Sequence, residues 1–255
     1  MFKKFSPKED IAGNAPMKSS AQRQIRAKLL EQLRLLSAPV DASAYTPAAS
    51  QAQDDEDDTP KKGPGAGKKD KGGKGKGGKG GKGGKKGREE EVEEQPVQEE
   101  QQPQDEELTV LDTLWPKKET LTLVKCHGAI SMYAVHGEPI FFQHFDGPFY
   151  PTLKVLHRYP QLLPRVGVDR GAIKFVLSGA NIMCPGMTSA GGYLPPTEQN
   201  VPKGQPVAVH AYGKEHALAI GLLAMSTDEI RSVNKNIGVE NVTYLGDDLW
   251  KVGRL

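Results

Sequence analysis

The chain has 255 residues, a formal net charge of +2 and a hydrophobic content of 36%. This hydrophobic fraction is low for one compact body, so part of the chain is expected to lie outside any core. No run approaches the ~20 apolar residues of a membrane span, and no apolar signal-peptide region follows the charged N-terminus. Two cysteines, Cys126 and Cys184, are too few for a disulfide framework or a metal site, and their apolar surroundings predict reduced, buried thiols. These properties favour a cytoplasmic protein with no membrane partner.

Residues 1–39 predict a short strand followed by one amphipathic helix. The strand is expected at residues 2–5. Ser19 and Gln22 have the spacing of a capping box at the start of the helix. Apolar residues at positions 25, 29, 33 and 36 mark one face of this helix, and Pro39 ends it. Its basic side chains form either a solvated face or a surface that helps to dock RNA.

Globular patterning disappears between about residues 40 and 105. An acidic run at 54–58 is followed by a lysine- and glycine-rich stretch at 61–88 and by a second acidic stretch at 89–107. Such a composition buries too little apolar surface to offset its conformational entropy, so the segment is predicted to be a disordered insert. Its lysines can bind phosphates without sequence preference. It can equally be a tolerated loop insertion, because long loops add little closure cost.

Order resumes at Leu108, and the elements that follow predict a small α+β domain over residues 1–160 with the insert inside it. Pro151 is expected in the first turn of the last helix. Strand alternation sends Phe141 and Phe142 to opposite faces, so either both are buried or one stays available to a partner. The predicted elements are a helix from 108 that stops at Pro116, strands at 121–126, 130–135 and 140–145, a hairpin turn at 136–139, and a helix ending near 160.

Residues 161–255 predict a second domain. Many short strands and glycine turns with few helices are typical of a small barrel. The predicted elements are a link at 162–166, a helix at 169–178, a strand at 181–184, a turn at 185–186, strands at 206–212 and 216–225, a helix with a capping box at Ser226 and Glu229, and closing strands at 244–245 and 249–252.

The stretch 168–186 is the part of this domain that suits a ligand. Asp169 is a good helix N-cap, and Gly179 lies where a left-handed residue would end that helix. A helix end beside small residues and a glycine turn lets another backbone approach, which suits a phosphate-bearing ligand, and Lys174 adds a positive charge. The same pattern also fits an ordinary helix-to-strand connection in a core.

The same stretch carries a family resemblance. Residues 171–186, Gly-Ala-Ile-Lys-Phe-Val-Leu-Ser-Gly-Ala-Asn-Ile-Met-Cys-Pro-Gly, resemble the opening of a PUA domain, the RNA-binding module named after pseudouridine synthases and archaeosine transglycosylases. Further motifs resemble the malignant T-cell-amplified sequence family: Met-Phe-Lys-Lys-Phe at 1–5, Gly-Pro-Phe-Tyr-Pro-Thr-Leu at 147–153, His-Arg-Tyr-Pro at 157–160 and Gly-Val-Glu-Asn at 238–241. The resemblance implies a PUA pseudo-β-barrel over residues 161–255.

The resemblance also implies a function. Family members are translation re-initiation and ribosome-recycling factors, so the chain is expected to act on the 40S ribosomal subunit and to handle tRNA. The expected partner resembles density-regulated protein, whose zinc-binding N-terminal part docks on the first domain. Phe142 and Phe145 are the predicted partner-binding residues. The predicted RNA-binding residues are Lys174, Ser178, Ala180, Asn181, Gly186 and Lys214.

Signals for catalysis are missing from the sequence. None of the six histidines has the spacing of a helical zinc pair, and there is no nucleophile elbow, Walker loop or dinucleotide fingerprint. The chain is therefore predicted not to be an enzyme, with no catalytic residues, metal, cofactor or small-molecule substrate. The alternative function is that of a PUA adaptor in an RNA-modification or ribosome-assembly complex.

Overall fold

The computed structural model describes residues 2–40 and 108–255, which fall within one compact unit. The insert predicted at about residues 40–105 lies outside the described residues apart from Val40. The chain enters and leaves that segment at adjacent points. The Val40 amide donates to the Leu108 carbonyl (3.0 Å), and the Val110 amide donates to the Ala38 carbonyl (3.1 Å). Residues 38–40 and 108–110 therefore lie side by side as a short antiparallel bridge.

The first half of the described chain is built on an antiparallel sheet. Its strands are β1 (Ile11–Pro16), β2 (Thr122–Cys126), β3 (Ile130–Val135), β4 (Glu138–His144) and β5 (Phe149–Pro151), and they are neighbours in that order. Three of these strands were predicted to within two residues. β1 precedes residues 41–107 in the sequence and pairs with β2, which follows them. It was not predicted, because its residues are mostly small and exposed.

The helices beside this sheet are α1 (Pro7–Asp10), α2 (Ser19–Gln32), α3 (Val110–Leu114) and α4 (Leu153–Arg158). The predicted apolar positions Leu29, Leu33 and Leu36 are buried. The predicted end of the helix is wrong, because α2 stops at Gln32 and a separate 3-10 turn at Arg34–Ser37 carries Leu36. The predicted capping box is wrong. Lys18 is the N-cap, and the side-chain nitrogen of Gln22 instead donates to the carbonyl of Met17 (2.7 Å).

Two further predictions for this half are wrong. Residues 2–5 form no strand, because Phe2 and Phe5 bury their rings edge to face, with centroids 5.7 Å apart. Pro151 ends β5 rather than beginning a helix, and the Thr152 hydroxyl caps α4 by accepting a hydrogen bond from the amide of Val155.

The second half is built on a curled sheet with the strand order β6-β8-β9-β10-β7. The strands are β6 (Arg165–Val168), β7 (Ile182–Met183), β8 (Pro206–Ala211), β9 (Ala217–Leu223) and β10 (Ile237–Tyr244). β6 and β8 are parallel, and the other neighbouring strands are antiparallel. The helices are α5 (Ile173–Leu177), α6 (Cys184–Thr188), α7 (Thr227–Val233) and α8 (Asp248–Lys251). Mixed helices and strands around two sheets confirm the predicted α+β class, and the curled second sheet agrees with the predicted pseudo-barrel.

Several boundaries in this half differ from prediction. Pro185 does not turn the chain but occupies the first turn of α6, where its missing amide costs no hydrogen bond. Residues 249–252 are not a closing strand. The buried carboxylate of Asp247 accepts from the Trp250 amide (2.8 Å) and so begins α8. The closing strand is β10, which starts at Ile237, well before the predicted residues 244–245.

The two sheets share one hydrophobic cluster. Ile220 and Val242 of the second sheet are buried in the same cluster as Phe142 and Leu156 of the first half. A second cluster fills the inside of the curled sheet. Polar contacts also join the halves, such as the hydrogen bond from the Lys154 ammonium to the Val252 carbonyl (2.6 Å). The curled sheet is therefore held against the first half on one side, which leaves α5 and the adjoining turns free to form a site.

Candidate nucleic-acid interface

Asp169 fixes the start of the site. Its carboxylate accepts hydrogen bonds from the Ala172 amide (2.9 Å) and the Ser189 hydroxyl (2.8 Å). These hydrogen bonds, that of Ser189 foremost, hold the pKa of Asp169 below its usual value. The Asp169 amide donates to the Gly186 carbonyl (3.0 Å). Asp169 is thus an N-cap as predicted, but of the 3-10 turn Arg170–Ala172 that leads into α5, and it also ties this segment to Gly186.

Gly179 fixes the other end of α5. It has a φ of +83°, and the Ala180 amide donates back to the Phe175 carbonyl (3.0 Å), which closes a Schellman cap. A Cβ at Gly179 would lie 2.9 Å from a ring carbon of Tyr244. Both the left-handed backbone and the close approach of Tyr244 therefore require glycine at this position. The cap turns the chain sharply into Asn181 and β7.

A groove of about 670 Å³ lies between α5 and β7, and we call it the α5 groove. Four of the six predicted RNA-binding residues line it: Lys174, Ala180, Asn181 and Gly186. Phe175 and Met183 line it as well, and Phe175 is 56% exposed. The Lys174 ammonium lies 5.0 Å from the centre of the Phe175 ring. The groove thus combines an accessible aromatic face with a positive charge.

Asn181 is held in place by β10. Its side-chain oxygen accepts from the Asn241 amide (3.0 Å). The side-chain nitrogen of Asn241 donates in turn to the carbonyls of Val176 and Ala180, both at 3.1 Å. Because the oxygen of Asn181 is occupied, this residue can offer a ligand the two donors of its amide nitrogen. Asn241 therefore positions the groove without lining it.

The structure places the remaining predicted RNA-binding residues outside the α5 groove. The Ser178 hydroxyl donates to the Phe175 carbonyl (2.7 Å), so it caps α5. Lys214 lies in the exposed turn after β8, where its amide donates to the Ala211 carbonyl (3.0 Å). Gly213, in the same turn, lines a different cavity.

The two predicted partner-binding residues have different surroundings. Phe142 is completely buried, with its ring 5.0 Å from that of Phe2 and 5.2 Å from that of Tyr150, so it cannot contact a partner. Its prediction is wrong, because both faces of β4 are covered. Phe145 is 69% exposed and has a left-handed backbone (φ 50°). It remains a predicted contact.

Residues 2–40 and 108–255 contain no group of three or more histidine, cysteine or acidic side chains that could hold a metal ion. No helix within them is long and apolar enough to cross a membrane. Cys126 and Cys184 are buried and free, as predicted. Burial raises the pKa of the Cys126 thiol to about 11 and raises that of Cys184 as well.

Sequence reasoning did not single out Phe175, Met183 and Asn241. Phe175 lies on α5 between Lys174 and Val176, and only Val176 of these three is buried. Phe175 was not part of the apolar stripe expected for the core, and it was not predicted as a site residue. An aromatic residue next to a lysine on the exposed side of a short helix is the signal that could have identified it. Asn241 acts on the site only because β10 lies next to α5 in the fold. The two elements are far apart in sequence, so no local pattern could have identified this residue.

Two domain families match the chain. Residues 95–160 match the Pre-PUA-like domain, and residues 164–245 match the PUA domain. The second match includes the α5 groove and all five strands of the curled sheet.

The chain is also similar to several curated proteins. It is 54% identical to malignant T-cell-amplified sequence 1 of Danio rerio over 140 residues, which cover 55% of this chain and 75% of that protein. It is 39% identical over 251 residues to translation machinery-associated protein 20 of Schizosaccharomyces pombe, with 98% of each chain covered. The protein of that name from Saccharomyces cerevisiae is 55% identical over 141 residues, which cover 55% of this chain and 77% of the yeast protein. With its PUA domain and these identities, the chain belongs to the family of malignant T-cell-amplified sequence and translation machinery-associated 20 proteins.

Proposed function

We propose that this protein is a cytoplasmic RNA-binding translation factor that acts on the 40S ribosomal subunit. In this proposal it works in initiation, re-initiation and post-termination recycling, and it handles tRNA together with a partner that resembles density-regulated protein. It acts by binding, without catalysis and without a cofactor. The α5 groove is the observation that carries the proposal.

The chemistry of the α5 groove supports binding of an unpaired RNA end. Single-stranded nucleic acid is held by aromatic rings on which bases stack and by cations that contact the phosphates. Phe175 supplies an exposed ring, and the Lys174 ammonium lies 5.0 Å from its centre. The amide nitrogen of Asn181 supplies donors for a ribose or a base edge. An unpaired end, such as that of a tRNA, fits a groove of this volume and polarity.

The exposed ring of Phe145 supports the proposed partner surface. Phe145 follows β4, its amide donates to the Ala129 carbonyl (2.9 Å), and its ring lies 4.6 Å from that of His144. The left-handed backbone at Phe145 holds a large apolar side chain in solvent, an arrangement that a packed core does not require. An aromatic side chain on a fixed turn is a suitable anchor for a partner protein.

The RNA proposal is tested by reversing charge at the two predicted lysines. We expect Lys174→Glu alone to weaken binding of single-stranded RNA and of 40S subunits, because a cation of the α5 groove becomes repulsive to phosphate. Adding Lys214→Glu, in the turn outside the groove, should bring the loss to about tenfold or more. The matched control is Lys125→Glu with Lys203→Glu, which reverses two exposed lysines away from the α5 groove. Affinities are measured by filter binding and co-sedimentation at several salt concentrations. Unchanged affinity in a folded Lys174 and Lys214 variant would contradict the proposal.

The ribosomal role is tested by what the tagged protein retains. We expect mature 40S subunits, tRNA and a partner with a start-site-selection domain. Pre-ribosomal or guide-RNA particles in their place would favour the adaptor function. Phe145→Ser should release the partner while leaving RNA binding intact, whereas Val233→Ser, which also replaces an exposed apolar side chain, should release neither. Retention of the partner by the Phe145 variant would remove this residue from the interface.

A further inference from the structure

A second cavity of about 540 Å³ opens on the outer face of the curled sheet. Arg165 and Gly167 of β6 line it together with His210 of β8 and Tyr212 just after that strand. Residues two apart on a strand share a face, so these positions face away from the cluster that Val166 and Val209 fill. Tyr193 lies across the open side of Gly167. We call this the tyrosine cavity.

Glycines shape the tyrosine cavity. Gly167 pairs with Tyr193 through two backbone hydrogen bonds of 2.8 and 3.0 Å, and a Cβ at Gly167 would lie only 2.8 Å from the Cβ of Tyr193. On its other side, Gly167 is opposite His210 in the parallel ladder. The missing side chain therefore leaves a gap between Tyr193 and His210. A Cβ at Gly191 would likewise lie 3.2 Å from the Tyr212 ring, so Gly191 packs against that ring and holds it in place.

The rim of the tyrosine cavity has two accessible rings and two cations. Tyr193 and Tyr212 are each about half exposed, at 48% and 55%. The Arg170 guanidinium lies 5.5 Å from the centre of the Tyr212 ring, and Arg165 lines the cavity. Tyrosine faces accept stacked bases, and arginine pairs with phosphate through two parallel hydrogen bonds. This combination fits a nucleotide better than it fits an apolar or acidic peptide.

A buried polar group lines the same cavity. His210 is only 3% exposed, and its Nδ1 has no hydrogen-bond partner within residues 2–40 and 108–255. Burial, with Arg165 nearby, lowers the pKa of His210 to about 4, so the ring is neutral at physiological pH. An unsatisfied buried nitrogen is costly. Nδ1 itself is shielded from solvent, so a ligand in the cavity can reach it only if the ring turns. A neutral imidazole nitrogen can pair with a hydroxyl or with a base edge.

We propose that the tyrosine cavity is a second subsite, which binds one unpaired nucleotide of an RNA strand. The base stacks on Tyr193 and Tyr212, the phosphate contacts Arg165 and Arg170, and the His210 ring forms part of the cavity wall. The choice of RNA as the source of the nucleotide rests on the proposed function. Asp169 lines the α5 groove and the adjacent Arg170 contacts Tyr212, so one strand can pass Arg170 from the first subsite to the second.

The test is a titration of the full chain followed by NMR. The ligands are the four nucleoside 5′-monophosphates, inorganic phosphate and a single-stranded hexanucleotide RNA, and the reporters are the amides of Gly191, Gly192 and Gly213. We expect the RNA and at least one mononucleotide to shift these signals, and phosphate alone to shift them little. Tyr193→Ala combined with Tyr212→Ala should weaken this binding by about tenfold. Val233→Ala shortens an exposed apolar side chain outside both cavities and should leave it unchanged.

The outcomes separate this proposal from the proposed function. RNA that shifts α5 groove signals but not the three glycines would overturn the second subsite and leave the function standing. Equal affinity in a folded double tyrosine variant would also overturn the subsite. Shifts of the three glycine amide signals on adding a mononucleotide would support the second subsite. If these shifts occurred while the α5 groove bound no RNA, the second subsite would stand and only the proposed function would fail.

Discussion

Phe175 shows how much a single exposed ring contributes to the case for RNA binding. A short helix with one buried face normally turns its apolar side chains inward, yet Phe175 points its ring along the α5 groove beneath the Lys174 ammonium. Val176, the next residue, is the one that packs into the core. The two adjacent apolar residues therefore have different roles, one in stability and one in the proposed recognition.

Replacing Phe175 should separate these roles. We expect Phe175→Ala to weaken binding of single-stranded RNA by about tenfold, because one stacking interaction of ~1–3 kcal/mol is lost. The free energy of unfolding should change by less than about 0.5 kcal/mol, as is usual for exposed positions. Fluorescence anisotropy and urea unfolding measure the two quantities. Leu177→Ala, on the same helix but outside the α5 groove, is the control that should leave RNA affinity unchanged.

His210 makes a prediction about pH. Its pKa is about 4 in the folded chain, against an ordinary value of 6.5, because burial disfavours the charged ring. The unfolded state therefore binds a proton first as pH falls. The stability that the neutral ring contributes is complete above pH 6.5 and is lost as pH falls towards 4. Burial also lowers the pKa of His157, which acts in the same direction.

We expect the free energy of unfolding to fall between pH 6.5 and 4, with His210 contributing about 3 kcal/mol of the loss. His210→Gln should make this pH dependence shallower, because glutamine does not titrate. Urea unfolding at half-unit pH intervals gives both slopes. Equal slopes in the two proteins would show that His210 is not the group responsible.

Helix caps show why similar sequence patterns have different outcomes. Ser226 and Glu229 form the predicted capping box: the Glu229 carboxylate accepts from the Ser226 amide (2.7 Å), and the Ser226 hydroxyl accepts from the Glu229 amide (3.3 Å). Ser19 and Gln22 have the same spacing, but Lys18 is the N-cap of α2. Ser19 is therefore the first residue inside the helix and cannot cap it. The spacing alone does not say which residue is the N-cap, because that depends on the backbone conformation of the residues that precede the helix.

This difference gives a paired prediction. Ser226→Ala should lower the free energy of unfolding by about 1 kcal/mol, the usual value of an N-cap. Ser19→Ala should change it by less than about 0.5 kcal/mol, because no side chain caps α2. Chemical unfolding of both variants beside the unaltered protein makes the comparison. A larger loss for Ser19→Ala would mean that α2 is capped in solution.

Local patterns predicted most elements of the fold and only part of the site. Strands with regular alternation, such as β3, were predicted within narrow limits. β1 was missed because it is exposed and gains its structure from pairing with β2 rather than from its own residues. In the site, Lys174 and Asn181 were predicted to bind RNA and do line the α5 groove, whereas the contribution of Asn241 requires the three-dimensional approach of β10.

Contacts between residues far apart in sequence hold residues 2–40 and 108–255 together. The Asp248 amide donates to the Phe2 carbonyl, and the Phe5 amide donates to the Asp248 carboxylate, both at 3.1 Å. The His157 ring donates to the Ala217 carbonyl (2.8 Å) and lies 5.2 Å from Trp250. Residues near the beginning of the chain thus pack against α8. We expect the described parts to unfold as one unit rather than as two.

The segment 41–107 provides a prediction at this scale. We expect a variant in which four glycine or serine residues replace it to fold normally, because Val40 and Leu108 are already hydrogen-bonded neighbours. A shorter loop costs less entropy to close. If the segment lacks fixed structure, as its composition predicts, the free energy of unfolding should therefore rise by up to about 2 kcal/mol. If its lysines contact the ribosome, 40S binding should also become less dependent on salt. Loss of cooperative unfolding in this variant would contradict the prediction.

The hydrogen bonds between residues 38–40 and 108–110 have a practical consequence for labelling. A fluorescent or affinity module whose own ends lie close together can replace residues 41–107 without separating β1 from β2. Such an internal label leaves Phe2 and Phe5 in their packing against Asp248 and leaves the segment around α8 undisturbed. The α5 groove, the tyrosine cavity and Phe145 also keep their native sequence. Ribosome association could then be followed in cells without a tag on either end of the chain.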